Sequence, residues 1–411
     1  WSNGAQIIPP HDTGMSGTID DVGEVVLADV RELRATGQLQ APDTVILENY
    51  YREVLELRVL KSTGARAVYS AMHGVGGRFV MEALRRAGHT DVLPVPEQFD
   101  PDAGFPTVAF PNPEEPGALD LALALAESEK ADLVVANDPD ADRLAVAVRD
   151  QEGHYIPLSG NEVGLLLAEC LMSHGGQRNR PMLATTIVSS TMLRKIAAAH
   201  HAAYAETLTG FKWIANRAIA HGESGGDFVL GFEEALGYSV GPVVRDKDGV
   251  SALLLLLDLA SAEKMRGRTL LDSLEDLYRR YGLHLSEQVA LKFPGADGAE
   301  TIAGLMSRLR SSPPSGFLGH AVTVVTDLSN NSRTAQGIRE EAGFPLSNVL
   351  GFELDNGYRI LARPSGTEPK IKFYFEVQAA IGEDQELPEV QVELAKALES
   401  LKKSFLGMLD L

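Results

Sequence analysis

Residues 131–149 read ADLVVANDPDADRLAVAVR. Two apolar runs flank a turn in which Asp138, Asp140 and Asp142 stand at alternate positions. Both flanks have the composition of buried strands, so the acidic turn joins two pieces of sheet. Three like charges this close repel one another unless a positive charge lies between them. Carboxylates are hard oxygen ligands, suited to Mg²⁺ or Ca²⁺ rather than to soft metals. An EF-hand loop is excluded: Arg143 stands where its glycine belongs, and Arg149 stands where its closing glutamate belongs. The D-x-D-x-T loop of haloacid-type phosphatases is not matched either. A solvated Asp-rich turn remains the other reading of these residues alone.

Outward from this turn, strand-like and helix-like segments alternate. ARAVYSAMHGVG (65–76) is a short strand entering a Gly-rich turn, followed by the helix GRFVMEALRRAGH (77–89). The helix GALDLALALAESEKA (117–131) then leads into DLVVAND. Such β-α-β alternation with nearly continuous apolar strands predicts a parallel sheet covered on both faces. A second α/β block starts near Arg180, with PMLATTIVSSTMLRKIAAAHHA (181–202) and YAETLTGFKWIANRAIAHG (204–222). From about Lys292 the pattern becomes alternating strands plus a terminal amphipathic helix, a separate α+β domain in which DNG (355–357) marks a hairpin.

The composition narrows the function. At 411 residues, 44% hydrophobic and 23% charged, the chain has the profile of a multidomain globular protein. A formal net charge of −20 argues against a nucleic-acid surface, while leaving room for a local basic pocket that takes small anions. Cys170 is the sole cysteine and sits in an apolar helical stretch, so it reads as a packed core thiol. No apolar run approaches the length of a membrane span, and a cytoplasmic location with no membrane partner is expected.

Two further clusters carry chemistry. RPSGTEPKIK (363–372) lies at a strand junction: Ser365, Gly366 and Thr367 offer hydroxyls and a freely turning backbone, and Arg363 adds a fork suited to phosphate. A generic turn is the plain alternative. In GFEEALGY (231–238), Glu233 and Glu234 could accept hydrogen bonds from vicinal sugar hydroxyls, or form an acidic turn. Lys212, in TLTGFKW (207–213), is a ligand contact or a surface residue on the same footing. His73 in the Gly-rich turn reads as structural, and Ser189 and Ser190 read as helix caps.

In their order along the chain, DPDADR, TGFKW, GFEEALGY and RPSGTEPKIKFYFE resemble the α-D-phosphohexomutase superfamily of phosphoglucomutases and phosphomannomutases. The resemblance covers essentially the whole chain. It implies three related α/β domains with mixed sheets, the first incomplete here, plus a C-terminal α+β domain, arranged around a central cleft. The corresponding divisions are 1–45, 46–178, 179–291 and 292–411. It further implies Asp138, Asp140 and Asp142 as Mg²⁺ ligands, and Arg143 as the catalytic residue close to the reacting phosphate. Glu233 and Glu234 would take the sugar hydroxyls, with Lys212 as a further substrate contact. Arg363, Ser365, Gly366 and Thr367 would hold the phosphate that is not transferred. The implied ligands are hexose phosphates and hexose 1,6-bisphosphate.

Two departures stand out. Many relatives carry serine where this chain has Ala235, and the motifs look closest to a phosphopentomutase-like branch. The family's nucleophilic phosphoserine segment, T-A-S-H-N-P, and the lysine that follows it have no counterpart here. The chain is therefore expected to start just after that segment and to be inactive by itself. A phosphopentomutase-type mutase and a non-catalytic sugar-phosphate binder are the alternatives to the hexose mutase.

Overall fold

The computed structural model describes residues 1–295, 297–366 and 368–411. It contains three sheets and falls into two compact units. The first comprises Trp1–Thr185, His200–Ala205 and Gly210–Leu271; the second comprises Thr186–Ala199, Glu206–Thr209 and Asp272–Leu411.

In the first unit, β1 (Ala67–Ser70), β2 (Val92–Pro94), β3 (Leu133–Ala136), β4 (Ala145–Arg149) and β5 (Tyr155–Leu158) form one sheet in the order β2-β1-β3-β4-β5. The expected parallel arrangement holds for β2-β1-β3, while β4 and β5 run antiparallel. The reason lies in the connection. Residues 137–144 are too few for the crossover that a parallel neighbour requires, so the chain returns directly alongside β3. All four residues of β1 and of β3 are buried, as their unbroken apolar sequences require. Val68, Val134 and Ala147 pack with Ala122 and Ala126 of the helix Asp120–Glu129.

A second mixed sheet has the order β7-β6-β8-β9, from β6 (Met182–Thr186), β7 (Ala203–Thr207), β8 (Phe228–Glu233) and β9 (Gly237–Val240). Residues 234–236 close a tight β8-β9 hairpin. The helix Gly249–Met265 is buried from Gly249 to Glu263. Asp258, in its middle, accepts hydrogen bonds from Arg58 at 2.6 and 2.9 Å and lies 2.9 Å from His89 Nε2. This buried pair holds the helix against two neighbouring segments. Cys170 is buried, and burial pushes its thiol pKa up to about 12. A core thiol is what the sequence suggests there.

The helices His11–Asp20 and Val30–Ala35 bury no residue, and Val25, Val26 and Leu27 are exposed.

The second unit is built on one antiparallel sheet. Its strands are β10 (Leu283–Lys292), β11 (Gly316–Phe317), β12 (His320–Asp327), β13 (Ser332–Ala335), β14 (Ile338–Glu341), β15 (Leu350–Leu354), β16 (Arg359–Pro364) and β17 (Lys370–Ala379). Their order is β10-β17-β16-β15-β12-β13-β14, with β11 paired to β12. The DNG turn does join β15 to β16, with Gly357 at φ +82°. Pairing of β10 with β17 along its whole length brings residues from Leu283 onward into this sheet, ahead of the change of pattern read at Lys292. Phe373 and Phe375 lie edge-on to Phe405 of the helix Leu387–Met408. Among the described residues, no helix is long and apolar enough to cross a membrane.

Candidate active site

The acidic turn sits where β3 ends, at the carboxyl edge of the parallel strands, the usual place for ligands in such sheets. One carboxylate oxygen each from Asp138, Asp140 and Asp142 lies within 4.8 Å of the others. The backbone N–H of Arg143 donates to Asp138 Oδ1 at 3.0 Å, curling the turn inward. Arg143 Nε stands 3.5 Å from Asp138 Oδ2 and 3.9 Å from Asp142 Oδ1. Burial raises the Asp138 pKa to about 6, and the Asp142 charge pushes the same way. Asp142 Oδ1 is buried and, among the described residues, accepts no hydrogen bond. A compact set of three hard oxygen ligands, gathered within reach of one point, fits a small divalent cation.

Three other segments clamp the turn. Val75 N–H donates to the Pro139 carbonyl at 2.8 Å, and a Cβ on Gly74 would fall 2.3 Å from Pro139 Cα. The Gly-rich stretch after β1 is thus a bed for the acidic turn, a role its sequence did not announce. His73 in that stretch is buried with Nε2 2.8 Å from Thr107 Oγ1, in keeping with a structural part. Further along the turn, Gly249 N–H donates to the Ala141 carbonyl at 3.1 Å, and Leu144 N–H donates to the Leu236 carbonyl at 3.0 Å.

The sugar-binding candidates meet in the same unit. Gly210 N–H, in TGFKW, donates to Glu233 Oε1 at 2.6 Å, so these two motifs form one site wall. Burial raises the Glu233 pKa; the Gly210 hydrogen bond and the charges of Lys247 and Arg143 pull it back. Glu234 follows at the end of β8, and its backbone packs against Gly160. Lys212 lies half-buried, with Nζ 5.5 Å from the Trp213 ring centre. Sequence reasoning missed Lys247, whose Nζ is 2.8 Å from Asp142 Oδ2. Its one local signal is its place just before the Asp248 helix cap.

The arginine loop belongs to the second unit. Arg363 is the penultimate residue of β16, opposite Lys372 of β17, and Ser365 N–H donates to the Lys370 carbonyl at 2.7 Å. Arg363 and Ser365 are half-buried and Gly366 is exposed. Thr367 lies outside the described residues. Lys370 pairs with Glu368 at 3.2 Å. Ser190, read as a cap, does accept from Met192 N–H at 3.3 Å and also donates to Glu376 at 3.0 Å; Ser189 Oγ is 2.8 Å from Thr186 Oγ1.

Family profiles match three stretches in sequence. They are phosphoglucomutase/phosphomannomutase alpha/beta/alpha domain II over residues 48–153, alpha/beta/alpha domain III over 159–281, and the C-terminal domain over 326–397. The chain belongs to this family. It is 39% identical to a Haemophilus influenzae protein named "Probable phosphomannomutase", across 92% of this chain and 72% of that one. It is 38% identical to the phosphopentomutase of Homo sapiens, across 97% of this chain and 68% of that one. Among solved structures, the open form of pp63/parafusin, a phosphoglucomutase from Paramecium, shares the fold with a TM-score of 0.61 at 20% identity. That match covers 89% of this chain and 62% of the Paramecium protein.

Proposed function

We propose that this chain supplies the metal-, sugar- and phosphate-binding residues of a mutase that interconverts hexose 1-phosphate and hexose 6-phosphate through a hexose 1,6-bisphosphate. The observation that carries the reading is the convergence of the acidic trio, Arg143 and Lys247, with Glu233 bound to the TGFKW turn in the same unit. Asp138, Asp140 and Asp142 would hold Mg²⁺, which when bound offsets charge on the phosphate being transferred. Arg143 then touches an oxygen of that phosphate. Glu233, with one oxygen anchored by Gly210, keeps the other for sugar hydroxyls, with Glu234 and Lys212 beside it. Arg363, Ser365, Gly366 and Thr367 grip the second phosphate, whichever end of the sugar presents it. The phosphoryl group travels by way of a phosphoserine, for which these 411 residues hold no matching motif. The divisions 1–45, 46–178, 179–291 and 292–411 then carry, in order, a first-domain segment, the metal loop, the sugar loop and the phosphate loop. The reaction would run in the cytoplasm.

Calorimetric titration of the chain with glucose 1,6-bisphosphate and Mg²⁺ tests this. Binding is expected, and Arg363→Ala should weaken it strongly; no binding at millimolar ligand would reject the reading. Ala235 and the likeness to human phosphopentomutase favour a second reading, a pentose phosphate substrate. Tighter binding of ribose 1,5-bisphosphate in the same titration would select it.

A further inference from the structure

Lys247 and Arg143 face different oxygens of Asp142. The Lys247 stem lies along the sugar loop, so close that a Cβ on Gly237 would fall 2.6 Å from Lys247 Cδ. Its ammonium ends 2.8 Å from Asp142 Oδ2, while Arg143 Nε waits 3.9 Å from the other oxygen, Oδ1. Asp142 thus stands between two cations that compete for it. Oδ1 is buried and accepts no hydrogen bond from the described residues, so any loosening of the carboxylate lets it turn onto the guanidinium. An Arg143–Asp142 pair would take one of three oxygen ligands away from a cation.

We propose that Lys247 is a positioning residue for the metal site: by binding Asp142 Oδ2 it keeps Oδ1 off Arg143 and available to the ion. The inference rests on the metal reading above. Charge alone argues the other way, because a lysine beside a divalent cation repels it, so the sign of the effect decides between the two. Outer partners that orient metal-ligating carboxylates typically change affinity by about 10–100-fold when removed.

Manganese binding, followed by the loss of the free Mn²⁺ electron paramagnetic resonance signal, reads this without any turnover. Lys247→Met keeps the aliphatic stem over Gly237 and removes only the charge. It should weaken Mn²⁺ binding about 10–100-fold, with little change in the melting temperature measured in EDTA. Lys247→Arg should recover most of the affinity. In an Arg143→Met background, where the rival for Oδ1 is gone, adding Lys247→Met should cost little. Equal or tighter Mn²⁺ binding by Lys247→Met would overturn the proposal, as would an undiminished loss in the Arg143→Met background. Should Lys247→Met fail to fold, Lys247→Gln, titrated with Mn²⁺ in the same way alone and with Arg143→Met, decides the matter in its place. Equal binding by wild type and Asp140→Asn would instead remove the metal reading itself.

Discussion

Gly249→Ala offers the sharpest test of how the acidic turn is held. Gly249 opens the buried helix Gly249–Met265. On helix propensity alone, alanine should stabilise a helical position by up to about 1 kcal/mol. The surroundings reverse that sign. A Cβ here would lie 2.3 Å from the Arg143 carbonyl oxygen, 2.5 Å from Asn137 Nδ2 and 2.8 Å from the Ala141 carbonyl oxygen. Restoring ordinary contact at about 3.3 Å or more requires the turn to retreat by roughly 1 Å, about twice the tolerance of a working constellation. Overpacking of this kind costs about 1–3 kcal/mol, so net destabilisation of roughly 1–2 kcal/mol is expected. The backbone that moves, from Asp138 to Arg143, carries all three carboxylates. Urea melts in EDTA, paired with Mn²⁺ titration, should therefore show a lower midpoint and weaker metal binding together. A variant as stable as wild type, with unchanged Mn²⁺ affinity, would refute the account of the clamp.

Three further outcomes are expected. In the second unit, Glu376 is buried, which raises its pKa, yet the hydrogen bond with His284 and the charge of Arg359 prevail and lower it from 4.5 to about 2. A depressed carboxylate stabilises the fold above its unfolded pKa and loses that contribution as pH falls. About 3 kcal/mol should therefore vanish between about pH 4.5 and 2. Glu376→Gln should flatten that part of the acid-denaturation curve, and an unchanged slope would contradict it. Asp258→Asn strips a buried guanidinium of its partner and should cost about 3–5 kcal/mol in a urea melt, whereas a loss under about 1 kcal/mol would mean Arg58 finds another acceptor. In a mutase assay, Asp140→Asn should lower kcat more than it weakens sugar-phosphate binding, and Arg363→Ala should mainly raise KM; the reverse pattern would exchange their assigned roles.

Much of the site is local in sequence, and to that extent it was legible. DPDADR curls because hydrogen bonds between near neighbours, such as Arg143 N–H to Asp138, suffice to bend it. The DNG hairpin follows from a turn that needs positive φ. The parallel reading of the first sheet failed at β4, since apolar runs report burial and not strand direction. Gly74 and Gly249 carried no readable signal, because what makes a side chain impossible there is backbone brought in from far along the chain.

By itself the sequence determined which residues could bind a metal, a sugar and a phosphate, because the chemistry of a carboxylate or guanidinium belongs to the residue and motif order belongs to the chain. Only the tertiary structure decided how Asp142 is shared between Lys247 and Arg143, and that Gly210 anchors Glu233. Side-chain direction and the balance of competing ion pairs depend on distances between segments remote in sequence, and those distances come into being only when the sheets and the buried helix pack together.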